Sequence, residues 1–176
     1  MKRQISCALL AGGIIVAASA TTAAPAAAST SGSETFNGTI VTSGVSGTRT
    51  VITSVIIAKG AFSGVGRIVE VPNLPTDPDE VSRDDLIFAS GTMHLVSTSV
   101  DSSVYGNPRS CVVTVTIYQT GQIVDGTGQF ADATGSGTGT VTARAVLARN
   151  PDGSCNFEHV PLHEVDMVTS AITLSF

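Results

Sequence analysis

Apolar residues recur at every second position along most of this chain, and that spacing limits the fold more than any other feature. Val51, Thr53, Val55 and Ile57 fall on one side of an extended backbone, with Ile52, Ser54 and Ile56 on the other. Cys111, Val113, Val115 and Ile117 alternate with Val112, Thr114, Thr116 and Tyr118. Val141, Ala143, Ala145 and Leu147 alternate with Thr140, Thr142 and Arg144, and Val168 to Phe176 repeats the pattern. Successive side chains of a strand point to opposite faces, so each run reads as a half-buried antiparallel strand. The wealth of Val, Ile and Thr agrees, because β-branched side chains lose rotamers in a helix and suit a pleated surface.

Turn residues divide the runs. Gly60, Gly64, Gly66 and Gly91, then Gly106-Asn107-Pro108, Asp125-Gly126 and Asn150-Pro151-Asp152-Gly153, mark the connections. The resulting strands are 34–44, 49–59, 62–71, 86–97, 110–120, 122–125 with 128–131, 137–149 and 166–176. Eight short strands at this spacing predict a sandwich or a closed barrel, and closure removes the edges that invite aggregation in so Val/Thr-rich a chain. The expected fold is an all-β antiparallel barrel of about eight strands. Residues 29–33 are small and polar and are expected to fray. One short surface helix is expected where Asp77-Pro78-Asp79-Glu80 sets out an N-cap, a proline at the first turn and a capping-box glutamate, with Val81 to Leu86 following.

The start of the chain reads differently. Lys2 and Arg3 precede an apolar run from Ile5 to Ala20 and a stretch of small residues to Ala28 with several A-x-A sites. This is the form of an export signal, so residues 1–28 are expected to be a signal peptide and 29–176 a single secreted domain. No later run approaches a membrane span. Removing the leader takes the formal charge from −5 to −7, since it holds two basic and no acidic residues. The remaining basic residues are scattered singly, which argues against nucleic acid as a partner. Two cysteines remain, Cys111 and Cys155, and an even count in an exported chain predicts a disulfide.

Candidate sites are sparse. The run Gly126-Thr-Gly128-Gln-Phe130 to Gly135 lacks the Lys-Ser/Thr of a phosphate loop. Its glycines are expected to serve turns and close backbone approach, with Phe130 as an anchor in the core. His94, His159 and His163 are the metal candidates, but Pro161 interrupts the strand that would align the last two, so no metal and no cofactor is expected. The acidic residues Asp77, Asp79, Glu80, Asp84 and Asp85 do not follow a calcium-loop spacing. No serine lies in a nucleophile elbow. Asn37-Gly38-Thr39 is a glycosylation sequon, meaningful only in a host that uses it.

The segment 126–135, preceded by Asn107-Pro-Arg-Ser-Cys111 and followed by Leu147 to Cys155, resembles a group of exported actinobacterial proteins without an assigned activity. Its G-T-G-x-F-A-x-A-T-G pattern is similar to the hairpin of allene oxide cyclase and dirigent-like barrels. That resemblance implies an eight-stranded barrel with a ligand cavity at one mouth, and a Cys111–Cys155 pairing within it. This chain has Asp125-Gly126 where the plant proteins show two glycines, and no catalytic residue of theirs has a counterpart here. The functional expectation is a structural or surface-interaction protein with a filled barrel and no catalytic site. Its alternatives are a barrel that binds a small apolar ligand and, behind it, a cyclase- or isomerase-like enzyme. A cavity of roughly 300 Å³ or more would favour binding, and buried, convergent polar groups with perturbed proton affinity would favour the enzyme.

Overall fold

The computed structural model describes residues 30–176, so the expected leader, 1–28, lies outside the described residues. Eight antiparallel strands follow one another around a closed barrel: β1 (Ser31–Ser43), β2 (Thr50–Gly60), β3 (Ser63–Val71), β4 (Val81–Phe88), β5 (Gly91–Asn107), β6 (Val112–Gly126), β7 (Thr134–Val146) and β8 (His163–Ser175). One 3-10 turn, Gly128–Phe130, joins β6 to β7. β1 and β8 close the cylinder in continuous register from Ser31–Ser175 to Ser43–His163. All neighbours in sequence are neighbours in the sheet, the simplest up-and-down connection.

Period-two alternation sorts inside from outside as expected. Ile56, Val113, Ile172 and Leu174 are buried, whereas Val51, Val55 and Ile57 face solvent. The core is concentrated at one end of the cylinder. There Phe62, Phe88, Phe130 and Phe176 stack edge to face, with ring centroids 5.0 to 6.0 Å apart. Such pairs add about 0.5–1.5 kcal/mol each beyond their burial. The 3-10 turn exists to deliver Phe130, which is completely buried. Its tight path needs glycine at position 128, where φ is +63° and a Cβ would stand 2.3 Å from the Ser90 carbonyl oxygen.

Five local expectations are corrected. The segment Val81–Leu86 is not helical: it belongs to β4, hydrogen-bonded to β3 and β5. Asp77 does not cap a helix. Its carboxylate accepts the Leu74 N–H (2.8 Å) and grips the Arg83 guanidinium through two bonds of 2.7 and 3.0 Å. The Val81 N–H then bonds the Pro78 carbonyl, which closes a turn rather than starting a helix. A helix of one or two turns is marginal in water, and a strand that buries Leu86 and Phe88 outcompetes it.

The second correction is that the single strand expected over 86–97 is a hairpin, with Ala89-Ser90 between β4 and β5. Third, β5 continues to Asn107, beyond the expected end at 97. Fourth, 122–125 with 128–131 is no separate strand, because β6 runs on to Gly126 before the 3-10 turn. Fifth, Ser31–Ser33 are not frayed: they pair with Thr173–Ser175 at the end of β8. The count of eight is right, but β4 supplies the strand that 122–131 was expected to provide.

Past Thr98, where its pairing with β4 ends, β5 runs on to Asn107 paired with β6, which itself stays paired with β7. A second, smaller core of Cys111, Val113, Ala145 and Leu147 sits at the β5–β6 turn, against the end of β7, with Val115 and Cys155 packed on it. Cys111 is disulfide-bonded to Cys155 across a Cα–Cα distance of 5.3 Å. This bond ties the β5–β6 turn to the long β7–β8 connection. Cys111 is also the only non-glycine residue with positive φ among the described residues (52°), a conformation that costs an L-residue roughly 1–2 kcal/mol.

Candidate functional site

Opposite the phenylalanine plug, the interior is not filled. A cavity of about 280 Å³ occupies the half of the barrel where β1, β3 and β7 end and β2, β4 and β8 begin. Its deeper walls are apolar: Phe36, Ile40, Ile56, Ile68, Leu86 and Val168. A narrower pocket of about 40 Å³ continues inward past Leu95 and Gln119 to Ile123 and Ile172. Eight strands give an interior just wide enough to be filled by side chains or to hold one small molecule. Here the two outcomes share one barrel, since the bulky residues lie at the plugged end.

Toward the mouth the inward positions turn polar. β3 contributes Glu70, β4 contributes Ser82 and Asp84, β5 Ser97, β6 Gln119, and β8 Asp166 and Ser170. The alternation places each of them inside: Asp84 is two residues from Leu86, and Asp166 two from Val168. β1 and β7 present no charged side chain to the cavity wall.

Arg49, just before β2, is the organising cation. It bonds Glu70 at 2.5 Å and approaches Asp166 at 3.5 Å and Glu164 at 3.6 Å. It also holds a gap in the wall. Backbone pairing between β2 and β3 covers only Ile56–Gly66 to Lys59–Ser63. Nearer the mouth those strands are bridged by side chains, with the Ser54 hydroxyl donating to the Ile68 carbonyl (2.8 Å) and accepting its N–H (2.9 Å), and by the Arg49–Glu70 pair. These carboxylates bring Arg49 above its ordinary value, the Glu70 hydrogen bond contributing most. The other nearby cation, Arg83, is engaged by Asp77, whose carboxyl that contact holds below its ordinary value.

Negative charge therefore exceeds positive at the mouth. Asp84 is pushed up to about 6, chiefly by burial and then by Glu70 and Asp85. Asp166 is also pushed up to about 6, by burial first, then by Glu164, with Arg49 opposing. Asp166 is only 7% exposed, and its Oδ1 has no hydrogen-bond partner. An unpartnered, buried carboxylate oxygen is costly and marks a position where a donor is wanted.

Of the candidate site residues singled out from the sequence, Asp84 lines the cavity and the others lie elsewhere. Gly126, Gly128, Phe130 and Gly135 are brought together at the plugged end. A Cβ on Gly126 would stand 2.2 Å from the Phe130 carbonyl oxygen, and one on Gly135 2.7 Å from that of Thr173. The three histidines are not brought together. His94 pairs with Asp85 at 2.6 Å, His159 lies in the β7–β8 connection, and His163 starts β8. Among the described residues no cluster of three or more His, Cys, Asp or Glu is arranged to hold a metal ion, and no helix is long and apolar enough to cross a membrane.

Sequence reasoning missed Glu70, Glu164 and Asp166. The signal was present in the parity of β8, where Asp166 keeps step with Val168, Ser170 and Ile172. Comparison with protein-family models, with curated proteins and with solved structures finds no match.

Proposed function

We propose that this barrel is a binding module of an exported protein, and that its mouth-side cavity holds one small molecule with an apolar body. The observation that carries this reading is the cavity of about 280 Å³, apolar in depth and polar at its rim, in an otherwise well-packed barrel. Binding sites have this composition: mostly apolar walls with a few converging polar groups. A barrel whose role was purely structural would gain stability by filling that space with side chains, at about 24 cal/mol per Å³ of cavity removed. The resemblance of 126–135 to the hairpin of allene oxide cyclase and dirigent-like barrels, which implies a ligand cavity at one mouth, points the same way.

A cyclase- or isomerase-like activity is the second reading, and it is favoured by two carboxyls in the cavity wall, Asp84 and Asp166, that burial pushes up to about 6. The cavity is lined by Ser82, Ser97 and Ser170 but by no histidine or lysine to activate them, so the chemistry that this lining favours is proton transfer.

The test is fluorescence titration with N-phenyl-1-naphthylamine, a neutral apolar probe, on wild-type protein and on Val168→Trp and Ile68→Trp, which fill the cavity. Saturable enhancement that both substitutions reduce at least tenfold supports the reading. Enhancement that neither substitution changes, or none at all, refutes it. Recovery of a bound compound unaltered in mass would favour binding over catalysis.

A further inference from the structure

We infer that the ligand carries a protonated amine, seated against Asp166 of β8 in a cavity whose wall also holds Asp84 of β4, with its apolar body running inward toward Leu86 and Val168. This inference rests on the binding reading above and names the chemistry of its ligand.

Three observations carry it. First, the cavity wall has uncompensated negative charge. Glu70, Glu164 and Asp166 share the single cation Arg49, while Arg83 is taken up by Asp77. Asp84 takes part in no ion pair among the described residues. β1, β5, β6 and β7 add no charge of either sign to the cavity wall. Second, Asp166 is more than nine-tenths buried, lines the cavity, and leaves Oδ1 without a partner. A carboxylate oxygen only accepts hydrogen bonds, so the missing partner is a donor. Third, the metal alternative lacks its ligand set, since among the described residues no three His, Cys, Asp or Glu are arranged to hold a metal ion. An ammonium group fits where a coordinated cation does not. It needs two or three acceptors at the mouth and leaves the rest of the molecule apolar. An anion is disfavoured by the same charges.

Proton uptake by the two aspartates then controls occupancy. Above about pH 6 both carry charge and hold the ammonium; below it they become neutral, while a primary amine stays protonated. The groups that set this response are Arg49, Glu70, Arg83, Asp84, Asp85, Glu164 and Asp166.

The decisive experiment is calorimetric titration with three probes of one shape: 1-naphthylmethylamine, 1-naphthylmethanol and 1-naphthoate. At pH 7.5 the amine is expected to bind at least tenfold more tightly than the alcohol, and the carboxylate more weakly than either. At pH 5.0 the amine's advantage is expected to fall to threefold or less. Asp166→Asn should reduce the amine's advantage at pH 7.5 to the same extent, whereas Asp132→Asn, on the exterior, should preserve it. Equal binding of amine and alcohol at pH 7.5, or preference for the carboxylate, overturns the inference while leaving the binding reading intact. Absence of binding by all three overturns both. The pH comparison uses the wild-type protein alone, so the inference stays open to refutation even if Asp166→Asn fails to fold.

Discussion

The two ends of this barrel are built from the same strands and solve opposite problems. At one end four phenylalanines meet edge to face, and Phe62, Phe88, Phe130 and Phe176 leave no room for solvent. At the other, inward positions on the same strands carry Asp84, Glu70 and Asp166 around open space. β4 shows the change within eight residues: Phe88 and Leu86 are buried in the plug and core, while Asp84 and Ser82 line the mouth. Tight packing makes the first end the source of stability. The second end has given up packing and accumulates like charge, as binding sites commonly do at a cost in stability. Even the plug retains one polar exception, Glu34, which is completely buried on β1. Its Oε2 accepts the Phe62 N–H at 2.8 Å and so positions that ring, while Oε1 has no partner.

This contrast can be broken by substitution. Phe130→Ala should have the largest effect, destabilising by roughly 3–5 kcal/mol in urea or guanidinium unfolding, because it opens a cavity among three other rings. A change within about 0.5 kcal/mol would mean that the plug is not the stabilising end. Loss of the Cys111–Cys155 bond should come next, at about 2–4 kcal/mol for a loop of this length. Free-thiol titration should find neither Cys111 nor Cys155 reactive in the unreduced mature protein, and the stability loss should not alter probe binding at the mouth. Glu34→Leu should cost about 1–3 kcal/mol by stranding the Phe62 N–H.

At the mouth the sign reverses. Asp166→Asn should raise the melting temperature by a few degrees at pH 7.5 and leave it unchanged below pH 4, since it removes a charge the fold disfavours. Wild-type stability should follow the same logic. Asp84 and Asp166 hold their protons up to about pH 6 in the fold, against an ordinary value of 3.8. Between those limits the folded state binds more protons than the unfolded chain. The contribution of these two groups to stability is therefore greatest below pH 4, falls as pH rises through that window, and is at its lowest above about 6. A melting temperature that rises steadily from pH 4 to 7 would show that these carboxyls are not strained in the fold.

How much could be read from the chain follows the same division. Runs with an apolar inward face, such as Val168 to Phe176 and Cys111 to Ile117, disclosed the strands, the fold class and much of the core. Alternation failed where the interior is wet. In β4 the inward residues Ser82 and Asp84 replace the apolar beat, and Asp77-Pro78-Asp79-Glu80 ahead of them imitates a helix start. The distal half of β5 was illegible for a related reason: Asp101 to Asn107 run past the pairing with β4 with both faces exposed, so no periodicity marks them. The mouth depends on carboxylates from β3 and β8 meeting Arg49, a gathering that only closure of the cylinder produces. A polar residue that keeps inward parity, as Asp166 does beside Val168, is the local sign of such a site.

The central claim is that one half of the interior is packed and the other half receives a ligand. Methyl NMR during titration with 1-naphthylmethylamine tests it most directly. The account predicts shift changes at Ile40, Ile68, Leu95 and Val168 that saturate together, with Met93 and Leu174 at the plugged end unmoved. Perturbations centred on Met93 and Leu174, or none at any of these methyls, would contradict it.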